Sequence, residues 1–269
     1  MDWKRFNERV EALLRLNSSA VAVTMIEPGD PDPKGCGDPP QPLTLCQFIT
    51  MARVHGAKLF ATPDNVLCSI AQGMLGFDRL PDVAPRFAGG RTATVKAYNN
   101  ILEDMPKVAL GTYRGAAIVQ LSQAEFEPDV ILFVSDPARM TRLLHATTFH
   151  TGERIQMHTA AEAGTCGEAL AGCLVSRKPT IGFPCYGSRS YGLIADDELI
   201  FALPAHLAES CLDGLEKTHA RLNPYPIRKF LSPPPWPRVN FLLKELTPEG
   251  EAELKKMKKA AGHVIEDED

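Results

Sequence analysis

Apolar residues recur at helical spacing from the start of the chain. Trp3, Phe6, Val10, Leu13 and Leu14 line one side of residues 2–16, and Lys4, Arg5 and Glu8 take the other. This is the stripe of an amphipathic helix. Residues 20–26 form a short β-branched run and predict a buried strand. Residues 27–42 hold six prolines and three glycines, which predicts a loop. Thr44 stands where a helix over 46–54 can start, and Gly56 where it ends. A brief strand is predicted over 58–61, then a turn at Thr62-Pro63-Asp64-Asn65, a short helix over 68–75, a Pro/Gly loop over 81–92 and a helix over 94–105.

The second half of the chain keeps alternating. Strands are predicted over 116–121, 130–134, 154–159, 180–183 and 199–203. Helices are predicted from Pro137 to about residue 147, over 167–175, and from Pro204 to about residue 221. Strands and helices interleave throughout, so the expected fold is α/β or α+β, a mixed sheet with flanking helices. Six prolines over 223–238 end the compact part. The expected organisation is one globular domain over 1–226. Residues 227–269 are then a Pro-rich arm, a C-terminal helix opened at Thr247-Pro248 and an acidic tail. That arm and helix make a homodimer an expectation.

Two stretches repeat one another. Residues 129–144, DVILFVSDPARMTRLL, and residues 197–212, DELIFALPAHLAESCL, both read acid, apolar strand, then Pro-Ala before an amphipathic helix. Upstream of each, a cysteine opens a helix, a short strand and a proline follow, and a second cysteine closes the unit. The cysteines are Cys46 and Cys68 in one half, Cys166 and Cys185 in the other. Thr44 and Thr165 stand near the helix starts as caps. The expectation is two degenerate repeats, about 20–147 and 154–221, packed around a pseudo-twofold axis.

Composition narrows the function classes. Lys and Arg number 29 against 33 Asp and Glu, a net charge of -4, which gives no reason to expect a nucleic-acid partner. No apolar run reaches the roughly 20 residues of a membrane span. The charged first residues do not resemble a secretory signal, so the expected location is the cytoplasm. There the seven cysteines should be thiols, metal ligands or redox groups and not disulfides.

The repeat sorts these cysteines. Equivalent elements of two halves meet near an axis, which would gather Cys46, Cys68, Cys166 and Cys185. Cys46 and Cys166 sit at helix starts, where the helix dipole favours thiolate, the form that binds metal. Four thiolates suit an iron–sulfur cluster, with zinc as the alternative. No pair has the C-x-x-C spacing of the commonest sites, and free cysteines also serve as small buried hydrophobes. Cys36, Cys173 and Cys211 take that plainer role. Around Cys185, Gly187 permits a sharp turn and Arg189 could hold a carboxylate or phosphate of a bound cofactor. A thiol enzyme with Cys185 as nucleophile and His150 or His158 as base is a further reading. Gly164-Thr165-Cys166-Gly167 lacks the sequence of a nucleotide-binding loop.

Several of these stretches resemble one known family. They are PLTLCQ around Cys46, LCSIAQGMLGF around Cys68, FEPDVILF, TGERIQ, GTCGEAL, FPCYGSR around Cys185, and DDELIFALPA. Together they are similar to the domain of unknown function 169 family, bacterial and archaeal cytoplasmic proteins frequent in anaerobes. The likeness covers residues 3–226. It implies no activity, but it places the same four cysteines inside the family's motifs. One departure is Ser69 after Cys68, where family members often carry proline.

The function expected from the sequence is therefore a cysteine-ligated metal protein. It would carry an iron–sulfur cluster in a redox or cofactor-handling role, with a small molecule or a redox protein as partner. The alternative is a small-molecule binding protein with a ligand cleft between the halves and merely structural cysteines.

Overall fold

The computed structural model describes residues 1–221 together with residues 226, 252 and 256. Contacts divide the chain into two units, Met1–Pro226 and Ile227–Asp269. Ala252 and Lys256 are helical. The rest of the Pro-rich arm, C-terminal helix and acidic tail expected there lies outside the described residues.

In the first unit, the N-terminal half runs α1 (Trp3–Leu14), β1 (Val21–Ile26), α2 (Leu45–His55), β2 (Leu59–Ala61), α3 (Ser69–Met74), α4 (Ala84–Phe87) and α5 (Val95–Asp104). It continues with β3 (Gly115–Gln120), β4 (Val130–Ser135) and α6 (Pro137–Thr148). A π-helical segment, Gly164–Ala171, leads directly into α7 (Gly172–Ser176). Then come β5 (Thr180–Gly182), α8 (Tyr186–Ser190), β6 (Leu199–Pro204) and α9 (Ala208–Arg221). The helix starts follow local chemistry. Asp2 caps α1 at the Arg5 amide, Thr44 and Gln47 form a reciprocal capping box on α2, and Asp136 caps α6 with Pro137 at its first turn.

The six strands form one sheet in the order β2-β3-β1-β4-β6-β5. Every strand pairing is antiparallel, which corrects the mixed sheet expected from the sequence. Strands that run the same way are never neighbours: β1 lies between β3 and β4 and runs against both. Among the described residues, parallel pairing is confined to isolated bridges such as Gly37–Leu59 and Leu43–Val66.

Alternate residues of each strand serve two cores. Val21, Val23, Ile118, Leu132 and Ile200 point to one face, packed by α2, α3, α5 and the π-helical segment. Ala22, Val119, Ile131, Phe133 and Leu203 point to the other, packed by α1, α6 and α9. A sheet buried on both faces has little polar alternation, which is why its strands read as continuous apolar runs.

The expected strand over 154–159 is absent. Those residues are almost wholly exposed and carry no regular structure, because only Ile155 finds partial cover. Two short helices, α4 and α8, fall where the sequence predicts loop. Pro204 ends β6 and does not open a helix. A 3₁₀ turn over Ala205–Leu207 intervenes before α9.

β4 and β6 pair side by side, from Val130–Pro204 to Ser135–Leu199. The helices that follow them, α6 and α9, pack on the same face. Their close approach depends on Gly214, where a Cβ would fall 2.2 Å from the Ala146 carbonyl oxygen.

Candidate functional site

Each of the four singled-out cysteines lies at the start of a helical element on the α2–α3 face of the sheet. Cys46 is the second residue of α2, Cys68 precedes α3, Cys166 is the third residue of the π-helical segment, and Cys185 precedes α8. The π-helical segment packs against both α2 and α3. All seven cysteines are free thiols.

The centre of the site is a residue the sequence reading passed over. Ser188 is fully buried. Its Oγ lies 3.3 Å from Cys185 Sγ, 3.6 Å from Cys46 Sγ and 2.8 Å from Thr165 Oγ1. One hydroxyl therefore links two of the thiols to the residue beside a third. The signal was available: Ser188 stands three residues after Cys185, one turn along a helix. Thr165, expected to cap the helix of Cys166, spends its hydroxyl on Ser188. The π-helical segment starts instead at Ala163 with no side-chain cap.

Cys166 is the innermost of the four, and its Sγ donates to the Ala163 carbonyl at 3.7 Å. Burial pushes its thiol well above the ordinary range, and the neighbouring Cys68, Cys46 and Cys185 push it further. Cys46 is pushed up to about 11 by burial first and by Cys185 next, against opposing hydrogen bonds from Ser188 and Thr165. Both shifts run against the helix-start preference for thiolate. Loss of hydration disfavours the thiolate at both positions. Among the described residues, no group of three or more His, Cys, Asp or Glu side chains is gathered closely enough to hold a metal ion.

The walls of the site are tied to α2. Thr50 Oγ1 donates to the Gly192 carbonyl, and Arg53 Nη2 donates to the Leu193 carbonyl at 2.8 Å. A Cβ on Gly192 would fall 2.9 Å from Cys46 Cβ, so only glycine lets this loop pass. Arg189 turns into the same loop, donating to the Ala195 carbonyl at 2.6 Å with Asp196 3.6 Å away. Gly187 is helical and not left-handed, so it makes no sharp turn; a Cβ there would make ordinary contact with Cys185 Sγ.

A buried polar cluster adjoins Cys166 in sequence. Ala161 and Ala163 both hold left-handed backbone at φ 55° and 47°, a conformation that costs energy in alanine. Between them, Glu162 turns inward and accepts from Tyr98 Oη at 3.0 Å and Arg91 Nη1 at 2.5 Å. The Arg91 guanidinium covers the Phe87 ring at 4.3 Å and lies 5.6 Å from the centre of the Tyr186 ring, the residue after Cys185. Nothing in the pattern of charges marks Arg91, Tyr98 or Glu162, because their meeting depends on a left-handed turn that the alanines do not advertise.

The remaining candidates lie elsewhere. Cys173 and Cys211 are buried in the two cores, as expected of packing residues, and Cys36 is half-buried. His150 bonds Asp213 at 2.8 Å and His158 lies beside Gln156, so among the described residues neither is a hydrogen-bonded base for Cys185. No described helix is long and apolar enough to cross a membrane.

Comparison with known proteins follows the same boundaries. The chain is 27% identical over 215 residues to the uncharacterized protein MJ0308 of Methanocaldococcus jannaschii, covering 78% of this chain and 91% of that one. No solved structure matches. Residues 9–214 match the model of a family described as uncharacterised ArCR. That span takes in the whole sheet, all four cysteines and Ser188, and the chain accordingly belongs to the domain of unknown function 169 family.

Proposed function

We propose that this is a cysteine-ligated metal-binding protein that carries an iron–sulfur cluster in a redox or cofactor-handling role, with Cys46, Cys68, Cys166 and Cys185 as ligands. The observation that carries the reading is convergence. Four cysteines spread over 140 residues of sequence reach one neighbourhood, two of them on a single serine hydroxyl, and Cys46, Cys68 and Cys185 all within electrostatic range of Cys166. Four thiolates suit an iron–sulfur cluster, with zinc as the alternative. A bound cluster supplies electron transfer or a Lewis-acidic iron.

The protein's own part is to release protons. Burial disfavours the thiolates of Cys46 and Cys166, so metal uptake would have to displace protons and would weaken as pH falls. Ser188 and Thr165 would then be free to donate to the thiolates, and the Arg91–Glu162 pair would set the polarity beside Cys185. A cytoplasmic setting fits reduced thiols.

The duplication belongs to the same proposal. Adjacent β4 and β6, followed by packed α6 and α9, support two degenerate repeats about a local pseudo-twofold axis.

The test is anaerobic reconstitution of the full chain with ferrous iron and sulfide, read by iron and sulfide content and by the visible spectrum. Cluster absorption that disappears in each of Cys46→Ser, Cys68→Ser, Cys166→Ser and Cys185→Ser supports the reading. Folded, colourless protein without stoichiometric iron rejects it.

A further inference from the structure

Two residues beyond Cys166, Glu168 faces a cavity of about 770 Å³. Its walls are the end of α6 at Thr147 and Thr148, α7 at Val175 and Ser176, β5 at Thr180 and Ile181, and the turn before α9 at His206 and Leu207. Residues 153–156 complete it. A hollow of about 460 Å³ adjoins, sharing Asp104, Pro106, His158 and Glu168 with it. The size falls within the range of small-molecule sites, roughly 300–1,000 Å³. None of the four site cysteines lines either space.

The charges of the lining are unevenly spent. Lys178 is paired with Glu153 at 2.7 Å, and His150 with Asp213 at 2.8 Å. The Glu168 carboxylate is buried and accepts from the Thr159 hydroxyl and the amides of Ala160 and Phe183. It thereby fastens the 159–160 segment and the end of β5 beside the cavity. Asp104 is the remaining acid. The guanidiniums of Arg154 and Arg177 make no hydrogen bond or ion pair among the described residues, although the charge of Arg177 is felt by Asp129 and Tyr113. Ile155, Val175, Ile181 and Leu207 supply apolar surface, and Val175 is 53% exposed within this lining.

We infer that this cavity binds a small organic anion, whose apolar body lies on Ile155, Val175, Ile181 and Leu207 and whose carboxylate or phosphate is held by Arg154 and Arg177. Arginine offers a planar fork matched to either oxyanion. Both arginines are exposed, so their guanidiniums are accessible to an anion. The site needs no metal, and it stands or falls separately from the thiol site.

The probe is 8-anilinonaphthalene-1-sulfonate, an apolar body with one anionic group whose fluorescence rises out of water. Titration of the full chain should show saturable one-site binding. The double variant Arg154→Ala/Arg177→Ala should weaken it by about tenfold or more. Val175→Trp, which fills the cavity from an exposed position, should abolish it while circular dichroism stays unchanged. Benzoate or phenyl phosphate should displace the probe, and which of them does so tells carboxylate from phosphate. The inference is overturned by an absence of saturable binding, by affinity unchanged in both variants, or by displacement with neither anion. Loss of binding in Cys46→Ser/Cys185→Ser would also overturn it, by placing the probe at the thiol site.

Discussion

Cys46 and Ser188 lie 142 residues apart in sequence, and their sulfur and oxygen are 3.6 Å apart. The same oxygen meets Cys185 and Thr165, so α2, α8 and the π-helical segment are joined at one buried hydroxyl. Replacing it by hydrogen, in Ser188→Ala, leaves the Thr165 hydroxyl inside the protein without this partner. Thr165 then keeps only its hydrogen bond with Cys46, and loss of a buried hydrogen bond costs about 1 kcal/mol. Urea unfolding should therefore show a lower midpoint with an unchanged slope. An unaltered midpoint would mean that the hydroxyl does not join these elements.

The π-helical segment lies against the end of β5 with no room for a side chain. A Cβ on Gly182 would fall 2.2 Å from the Gly164 carbonyl oxygen, and one on Gly164 would fall 1.9 Å from the Phe183 carbonyl oxygen. Both obstacles are backbone, so neither can swing aside. Gly182→Ala and Gly164→Ala should each destabilise the fold by more than about 3 kcal/mol, visible as insoluble expression or a large fall in Tm. Gly37→Ala, with open space around it and no left-handed backbone, should stay within about 0.5 kcal/mol of the parent. Equal effects at Gly37 and Gly182 would contradict the close approach.

How far the sequence carries can be traced through particular residues. Periodicity finds α1, α2, α5 and α6, because each buries an apolar stripe behind a side-chain cap, and α9 by the stripe of Cys211, Leu212 and Leu215 alone. It finds the strands but not their directions, since a sheet covered on both faces looks apolar however its strands run. The alternation at 154–159 misleads because nothing pairs with it. The four cysteines were visible as a set through the order of elements around them. Their depth was not, because burial of Cys166 is a property of the packed α2, α3 and π-helical elements. Ser188 was readable as the i+3 neighbour of Cys185. Glu162 was not, since its inward turn is set by two alanines with left-handed backbone.

Glu162 and Tyr98 form a pair whose titration can be followed. The Tyr98 hydroxyl is pushed up to about 12, chiefly by burial and then by the negative charge and hydrogen bond of Glu162, with Arg91 opposing. Glu162→Gln removes that charge and leaves Arg91 to act alone. The Tyr98 midpoint should then fall, while burial still holds it above the ordinary tyrosine value of 10.0. Phenolate absorbance near 295 nm, compared with Tyr98→Phe as the blank, measures the shift. A midpoint that stays in place or rises in Glu162→Gln would show that the contact is not electrostatic in the way the geometry implies.

The two packing cysteines make the protein sensitive to alkali. Burial raises the Cys211 thiol from 9.0 to about 11, with a weaker opposing hydrogen bond from Thr147, and burial alone raises Cys173 from 9.0 to about 12. The sign follows from linkage: the folded chain keeps these protons over a range in which the unfolded chain has already lost them. Their stabilising contribution is therefore complete below pH 9.0 and lost as pH rises towards about 11 for Cys211 and about 12 for Cys173. Within that window each group lowers the unfolding free energy by up to about 1.4 kcal/mol per pH unit. Urea unfolding of the metal-free protein at pH 8, 9 and 10, under reducing conditions, should show a falling midpoint. The fall should be shallower in Cys211→Ala, which loses some packing at every pH but also loses the titrating group. Thr147→Val tests the same residue from its partner's side: without the hydroxyl, the Cys211 thiol should rise further and the fall should continue to higher pH. Parallel curves for the parent and Cys211→Ala would show that Cys211 does not titrate differently on unfolding.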